Sequence, residues 1–275
     1  MPAELRFRAM GTWARVVVVD GPPGALRLAQ TRIEQLEARW SRFRPDSEVS
    51  RLNRSGGRPV VVSADTARLV DLALAGHRGT AGRFDPTLLG PLVNAGYDRL
   101  FDRLGPIAVP PGPGFDPGGI GKGLAADIVV GELLAAGASG ACVNLGGDLR
   151  AEGAGPWLVD VADPFDETGP ALARLAFDAG GVATSSRLRR AWTAPDGTAR
   201  HHLIDPTTGQ PAATGVAAVT VLTGDGWRAE VLAKAALLAG LPAALDVLAT
   251  NRATGLVVDD GGGIHHAPGL DRFLA

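Results

Sequence analysis

The order in which helical and strand patterns follow one another constrains the fold of this chain most. Helix-type spacing of apolar residues dominates the segment between residues 25 and 136, whereas β-branched and alternating runs dominate from residue 141 onward. Because helices and strands come in blocks and not in strict alternation, the pattern favours an α+β fold over a doubly wound parallel sheet. We expect one mixed domain over residues 1–275, and an arrangement in two lobes stays open.

Helices are indicated where apolar residues recur at three- and four-residue spacing. One helix is predicted from Ala25 to Trp40, and Ser63 has the side chain of an N-cap for a second one. Further helices are predicted over 122–136, 229–239 and 242–249.

Strands are predicted where β-branched residues accumulate. The stretch 5–19 indicates either a strand pair or one long bent strand. Residues 105–119 are rich in proline and glycine, which is typical of irregular structure. The remaining strands are predicted over 141–149, 157–162, 172–177, 181–185, 216–223 and 254–259.

Composition excludes several classes of protein. The net charge is −2 with acids and bases interspersed, which argues against nucleic acid as a partner. The single cysteine, Cys142, excludes an internal disulfide and a cysteine zinc site, and its apolar surroundings indicate an inert buried thiol.

No segment has the pattern of a membrane anchor or a leader. The most apolar later stretch, 231–249, contains Lys234, Pro242 and Asp246, so it does not predict a transmembrane helix. Residues 1–20 carry Glu4, Arg6 and Arg8 and have no uninterrupted apolar run. We therefore expect a cytoplasmic protein.

The first stretch with chemical character is Asp116-Pro117-Gly118-Gly119-Ile120-Gly121-Lys122-Gly123. Four glycines in six residues leave the backbone bare, so its N–H and C=O groups can approach a phosphate or a cation. Lys122 adds a positive charge at a helix start, where free N–H groups already favour anions. A glycine-rich turn without a ligand is the structural alternative.

Two later stretches also combine polar residues with sharp turns. Val143 to Leu149 contains Gly146-Gly147-Asp148, which is equally compatible with a tight hairpin turn and with a binding loop. The stretch from His201 to Gly209 places His202 and Asp205 at a predicted strand end. A histidine can move a proton near neutral pH, although many such histidines are surface residues.

Taken in order, these stretches and several shorter ones resemble the ApbE family, the FAD:protein FMN transferases. Six or more short motifs in one order argue against chance agreement. The matching stretches, spread over roughly residues 9–240, are Met10-Gly11-Thr12, Ser41-Arg42-Phe43, 47–53, Phe84-Asp85-Pro86-Thr87, Gly90-Pro91-Leu92, 116–127, 143–148, 183–185 and 202–209.

The resemblance implies an ApbE-like α+β fold, with the flavin site between two lobes if two are present. It also implies an enzyme that cleaves FAD, attaches FMN by a phosphoester bond to a Thr or Ser hydroxyl of an acceptor flavoprotein, and releases AMP. The family further implies Mg²⁺ as the metal.

Residue by residue, the resemblance implies three sets of site residues. His202 matches the histidine that activates the acceptor hydroxyl, and Lys234 is a second catalytic candidate. Gly119 and Glu230 match the metal positions. The FAD contacts are matched by Met10, Phe43, Arg83, Phe84, Asp85, Asp116, Lys122, Thr184, Ser185, His202 and Leu203.

The chain departs from the family pattern on the helix that carries the metal motif. The family has Ala-Asp and then a Thr four residues after the Asp, whereas this chain has Ala229-Glu230 and then Lys234. A protonated lysine cannot ligate a cation. Two outcomes are open: Lys234 replaces part of the metal's charge on the FAD diphosphate, or it pairs with Glu230 and metal binding is weak.

Two other functions stay open at this level. The chain could be an FAD-binding or storage protein of the same fold, or a Mg²⁺-dependent FAD pyrophosphatase that releases free FMN and AMP.

Overall fold

The structure is a computed structural model that describes residues 2–97, 114–166, 168–194 and 196–275. The Pro/Gly-rich segment predicted at 105–119 lies outside the described residues as far as residue 113. The strands are β1 (Pro2–Ala9), β2 (Thr12–Val19), β3 (Gly140–Leu145), β4 (Asp148–Val161), β5 (Ala173–Ser186), β6 (Ala191–Thr193), β7 (Ala199–His201), β8 (Val216–Thr223), β9 (Thr254–Asp259) and β10 (Ile264–His266).

Most helices lie in two insertions between strands that follow one another in the sheet. One insertion separates β2 from β3, and the other separates β8 from β9. The helices are α1 (Ala25–Trp40), α2 (Glu48–Arg54), α3 (Ala64–Gly79), α4 (Leu89–Asn94), α5 (Gly121–Ala135), α6 (Gly226–Ala239) and α7 (Ala243–Thr250), and a short 3₁₀ helix spans Leu270–Phe273.

The main sheet is antiparallel throughout, with strand order β1-β2-β3-β4-β5-β8-β9-β10. Strands β6 and β7 form a separate antiparallel pair. The α+β prediction is therefore confirmed, and the assignment of residues 1–275 to one domain stays a prediction.

Both faces of the sheet are covered by apolar side chains. One cluster joins β2, β3 and β8 to helices α1, α5 and α6. A second cluster covers the opposite face of the sheet. It consists mainly of side chains from β4, β5, β8 and β9. Strand β8 is consequently buried along almost its whole length, as expected for a strand covered on both faces.

Helix α1 illustrates how the sequence pattern determines packing. Its buried residues are Ala25, Ala29, Ile33, Leu36 and Trp40, the five on which the helix prediction rests. Full burial of a side chain such as Ile33 contributes roughly 1.5–3 kcal/mol. The predicted cap of α3 is also present, since the Ser63 side chain accepts a hydrogen bond from the Thr66 N–H.

Several predicted boundaries need correction. For the stretch 5–19 the strand pair, one of the two alternatives left open, is confirmed, with a two-residue turn at Met10-Gly11. The strand predicted over 141–149 is interrupted, because Leu145 pairs with Asp148 across a turn at 146–147. The strands predicted at 172–177 and 181–185 are one strand, β5. Elements without a prediction are α2, α4, β6 and β10, whereas β7 lies where a strand was predicted to end.

The site depends on a close crossing of α5 and α6. A Cβ atom at Gly123 would lie 2.3 Å from the carbonyl oxygen of Gly226, so only glycine permits this approach. The Asp127 carboxylate accepts hydrogen bonds from the N–H groups of Gly226 (2.7 Å) and Trp227 (2.9 Å) at the start of α6. The crossing therefore brings α6 against the glycine-rich start of α5.

None of the described helices combines the length and the apolar character that a membrane crossing requires.

Candidate active site

The loop before α5 is held in place by a buried ion pair. The Asp116 carboxylate lies 2.7 Å from the Arg42 guanidinium, and it accepts a hydrogen bond from the Gly118 N–H at 3.0 Å. The Asp116 N–H donates to the carbonyl of Pro86 at 2.7 Å. These contacts fix the bare backbone of residues 118 and 119 beside the first turn of α5.

Lys122, in the first turn of α5, lies between two buried carboxylates. Its Nζ forms ion pairs with Asp148, the first residue of β4, and with Glu230 of α6 at 3.1 Å. The other oxygen of Glu230 accepts a hydrogen bond from the Gly123 N–H at 2.8 Å. Burial lowers the pKa of Lys122, and the neighbouring Glu230 opposes this effect.

Lys234 reaches the same region from one turn further along α6. A Cβ atom at Gly119 would lie 2.9 Å from Lys234 Cδ and 3.1 Å from Lys234 Nζ, so the lysine lies directly against the glycine backbone. The ammonium is also 5.9 Å from the centre of the fully buried Phe84 ring. Burial lowers the pKa of Lys234, while Asp116 and Glu230 oppose that shift.

His202 lies directly after β7, and its Nδ1 is shielded from solvent without a hydrogen-bond partner among the described residues. The ring stacks on Tyr97, with 5.9 Å between centroids and 27° between planes. Burial, together with the positive charges of Arg190 and Lys234, lowers the pKa of His202 well below 6.5. The imidazole is therefore neutral at pH 7 and able to accept a proton.

Two adjoining cavities collect these groups. The first cavity, of about 200 Å³, and the second cavity, of about 240 Å³, share Gly118, Lys122 and Arg190. Aromatic side chains, including Trp40, Phe43 and Tyr97, are concentrated in the second cavity. A ligand with two ring systems joined by a diphosphate would place its charged centre at the shared residues.

The structure brings most of the predicted site residues together. Gly119, Lys122, Thr184, Ser185, His202, Leu203, Glu230 and Lys234 line the first cavity. Met10, Phe43, Asp116 and, again, Lys122 line the second. The strand end predicted at His202 and Asp205 needs correction, because β7 ends at His201 and both residues lie in the following loop.

Arg83, Phe84 and Asp85 are placed differently. Among the described residues, the lining of the two cavities does not include them. Arg83 is exposed, Phe84 is fully buried beneath Gly119 and Lys234, and the Asp85 carboxylate accepts hydrogen bonds from Thr87. Phe84 therefore supports the site from below, and direct FAD contacts of these three residues stay a prediction.

Several residues at the site were not assigned a role from the sequence. Arg42 lies over the rings of Phe43 (5.0 Å) and Tyr97 (4.8 Å). Arg190 lines both cavities and donates a hydrogen bond to the Tyr97 hydroxyl at 3.0 Å. The Arg-rich run at 187–190 was a visible signal for Arg190, whereas its contact with Tyr97 depends on the fold.

The donors at the implied metal position do not fit a magnesium site. Mg²⁺ requires oxygen ligands in near-octahedral geometry. Both oxygens of Glu230 are already engaged, one by Lys122 and one by the Gly123 N–H, and the Lys234 ammonium lies beside Gly119. Within the described part of the chain, no cluster of three or more His, Cys, Asp or Glu side chains could hold a metal ion.

The fold and the cavities define an antiparallel α+β protein with two adjoining cavities, one of which is lined by aromatic side chains, and Lys122 and Arg190 line both. Comparison with known proteins narrows this class. The sequence model of the ApbE family matches residues 10–110 and 99–257. The chain belongs to the ApbE family.

Individual relatives agree with this assignment. The chain is 31% identical over 281 residues to the FAD:protein FMN transferase of Treponema pallidum, covering 84% of this chain and 77% of the relative. It is 28% identical over 302 residues to the enzyme of that name from Vibrio cholerae, covering 94% and 90%.

Solved structures of the family have the same fold. The ApbE protein of Thermotoga maritima superposes with a TM-score of 0.85 at 27% identity, and the match covers 100% of both chains. The flavin transferase ApbE of Vibrio cholerae, in a variant with one histidine replaced by glycine, gives 0.81 at 25% identity, again over 100% of both chains.

Proposed function

We propose that this chain is an FAD:protein FMN transferase. One observation carries the proposal: in a chain of this family, bare glycine backbone, two lysines and a neutral histidine converge on two adjoining cavities. The substrate is FAD, and the second substrate is a Thr or Ser hydroxyl of an acceptor flavoprotein.

The shared part of the two cavities suits the FAD diphosphate. Residues 118 and 119 offer backbone groups without side-chain obstruction, and the start of α5 adds its unpaired N–H groups and the positive end of its dipole. Lys234 and Arg190 supply positive charge around the same point. One ring system of FAD can then occupy each cavity.

The reaction is a displacement at the flavin-side phosphorus. The acceptor oxygen forms a new bond to this phosphorus, and the bond from the phosphorus to the bridging oxygen breaks. AMP leaves with the bridging oxygen, and FMN stays on the acceptor as a phosphoester. Such transfer depends mainly on positioning and on charge stabilisation, which are the properties this site provides.

His202 is the group that takes the proton of the acceptor hydroxyl. Its pKa, lowered by burial and by Arg190 and Lys234, keeps the ring neutral before the reaction. The negative charges of bound FAD oppose that shift and make the ring a stronger base when the substrate is present. The His202 ring stacks on Tyr97, whose hydroxyl accepts a hydrogen bond from Arg190. These contacts fix the orientation of the His202 ring.

The activity is tested by incubating the protein with FAD, with and without a candidate acceptor flavoprotein, and measuring AMP and protein-bound flavin. AMP that forms only with acceptor, together with covalent flavin on it, supports transfer. Equal AMP release without acceptor would identify a pyrophosphatase, and bound but unreacted FAD would identify a storage protein. Either of these results would refute the proposal.

The His202→Ala substitution tests the role of the histidine. We expect transfer to fall by at least about 100-fold, the usual contribution of a general base, while FAD affinity changes little. Rapid-mixing transfer assays and quenching of flavin fluorescence measure the two quantities separately. Equal transfer rates in the variant and the parent would remove His202 from this role.

The acceptor, the metal and the compartment are the finer parts of the assignment. Mg²⁺ is implied by the family alone, and the donors described above do not fit it. A cytoplasmic location stays a prediction, which fractionation of cells that express the chain would test.

A further inference from the structure

The lysines of this chain have an unusual distribution. Of the 27 basic residues, 25 are arginines, and only Lys122 and Lys234 are lysines. Both line the first cavity. Every other position that carries a permanent positive charge is an arginine, so the two compact ammonium groups of the chain are confined to one site.

The charge of Lys122 is already compensated within the protein. Asp148 and Glu230 both form ion pairs with it, and both of these residues are buried, each with 4% of its surface exposed. Lys122 and Glu230 thus join α5 to α6. Little of the positive charge of Lys122 is left for a ligand.

Lys234 has no such partner. Within the described part of the chain, no carboxylate forms an ion pair with its ammonium. The surrounding carboxylates are engaged elsewhere: Asp116 by Arg42 and the Gly118 N–H, Asp85 by Thr87, and Glu230 by Lys122 and the Gly123 N–H. The Lys234 ammonium is the uncompensated cation beside the bare backbone of Gly119.

We propose that Lys234 is a fixed cation that neutralises the FAD diphosphate, so that FAD binding and FMN transfer by this chain require no divalent metal ion. The inference rests on the proposed function for its reaction, and the binding of FAD tests it separately. The same position cannot also hold Mg²⁺, because an ammonium group beside Gly119 repels a cation and offers no lone pair.

The chemistry of an ammonium group suits this role. Lysine is a compact point charge with three donors, so it can contact oxygens of both phosphates without the planar geometry that arginine imposes. Phe84 and the Gly119 backbone confine its side chain, so little ordering is required when the diphosphate arrives. Burial lowers the pKa of Lys234, and the negative charge of a bound ligand opposes this shift and favours the charged ammonium.

The first experiment compares metal-free and metal-containing conditions. The parent protein, freed of metal by chelating resin, is titrated with FAD in EDTA and in Mg²⁺ while flavin fluorescence is recorded. Transfer to an acceptor flavoprotein is measured in the same buffers. We expect the FAD affinity and the transfer rate to agree within about twofold between the two conditions.

A loss of FAD affinity or of transfer in EDTA that Mg²⁺ restores would overturn the inference and leave the transferase assignment intact. Absence of transfer in both buffers would count against the transferase assignment alone. In that case the inference is decided by FAD binding: equal affinity in EDTA and Mg²⁺ supports it, and an affinity that requires Mg²⁺ refutes it.

Substitutions at Lys234 identify the group responsible. Lys234→Met keeps the length of the side chain without its charge, and we expect FAD affinity in EDTA to fall roughly 10- to 100-fold, as for the loss of a charged hydrogen-bond partner. Lys234→Thr should also bind FAD weakly in EDTA, because its hydroxyl carries no charge. Parent affinity of Lys234→Met in EDTA would refute the inference.

A matched control comes from the same helix. Arg228→Met also removes a positive charge from α6, but Arg228 donates to the Asn251 carbonyl and is absent from the described lining of both cavities. Its FAD affinity should equal that of the parent. If Arg228→Met lost as much FAD affinity as Lys234→Met, the loss would reflect the total positive charge of α6. That result would refute a specific role for Lys234.

The scarcity of lysine also provides a direct readout. Protein grown with lysine ¹³C-labelled at Cε gives only two side-chain signals, from Lys122 and Lys234, and the Lys234 variants assign them. On addition of FAD in EDTA, we expect the Lys234 signal to shift more than the Lys122 signal. A Lys234 signal that does not move at saturating FAD would overturn the inference.

Discussion

The start of α5 and the middle of α6 each bring a lysine to the same cavity, but they hold it differently. On α5, Lys122 is enclosed by Asp148 and Glu230. On α6, Lys234 lies against glycine backbone and an aromatic ring without a carboxylate partner among the described residues. The two lysines therefore differ in charge compensation, although both line the same cavity.

The difference lies in where the opposite charge comes from. A lysine compensated by protein carboxylates contributes to the folded state, because removing it leaves buried negative charges unpaired. A lysine without such partners is compensated only when an anionic ligand arrives. The first arrangement, at Lys122, stabilises the folded protein. The second arrangement, at Lys234, leaves a positive charge for the ligand.

The largest effect that tests this comparison is on stability. Lys122→Met leaves Asp148 and Glu230 buried without their cation, and we expect a loss of roughly 3–5 kcal/mol in the free energy of unfolding. Lys234→Met should change it by less than about 1 kcal/mol, because no protein ion pair is broken. Urea denaturation followed by circular dichroism measures both. Similar losses in the two variants would end the distinction.

A smaller effect is expected at Gly119. In Gly119→Ala the new methyl group lies 2.9 Å from Lys234 Cδ and 3.0 Å from the Phe84 ring, so the flexible lysine must move. A displacement of about 1 Å in a positioning group can reduce a rate about 100-fold, and we expect transfer to fall roughly 10- to 100-fold.

The control for this substitution is Gly131→Ala, which also lies in α5. Apart from its chain neighbours and the backbone of its own helix, no atom lies within 4 Å of a Cβ at this position. The variant should therefore keep the parent activity and gain a few tenths of a kcal/mol in helix stability, or about 1 kcal/mol at most. An unaltered transfer rate in Gly119→Ala, measured beside this control, would show that the position of Lys234 is unimportant.

The smallest effect concerns the protonation of His202. Lys234 and Lys122 both lower its pKa, and Lys234 contributes more. Loss of a nearby positive charge favours the protonated ring, so Lys234→Met should raise the pKa of His202 toward 6.5. NMR titration of the histidine Cε1 signals, with His202→Ala for assignment, measures the change. An unchanged pKa would mean that the two charges do not interact.

Local patterns predicted the elements whose burial repeats along the chain. The buried face of α1 and the bounds of β8 and β9 follow from residues within each segment. The break in the strand predicted over 141–149 does not, because it depends on which residues pair across the turn at 146–147. The short strands β6 and β10, which have no prediction, contain three residues each, too few to form a pattern.

At the site, too, short motifs predicted some features, whereas contacts between residues far apart in sequence were not predicted. The family motifs predicted that residues near 119 and the helix with Glu230 and Lys234 converge, and the structure brings them together. The spacing of Glu230 and Lys234 left a direct pair open, yet Glu230 contacts Lys122, which is 108 residues away in sequence. No local pattern contains such a contact, because it depends on how α5 crosses α6.

That crossing also has an entropic consequence. At Gly123 the two helices meet backbone to backbone, so no side chain can change rotamer there and alter the gap. A ligand that enters a preformed gap loses less free energy to ordering of the protein. When a dinucleotide binds to this chain, we expect most of the conformational entropy to be lost by the dinucleotide and little by the protein.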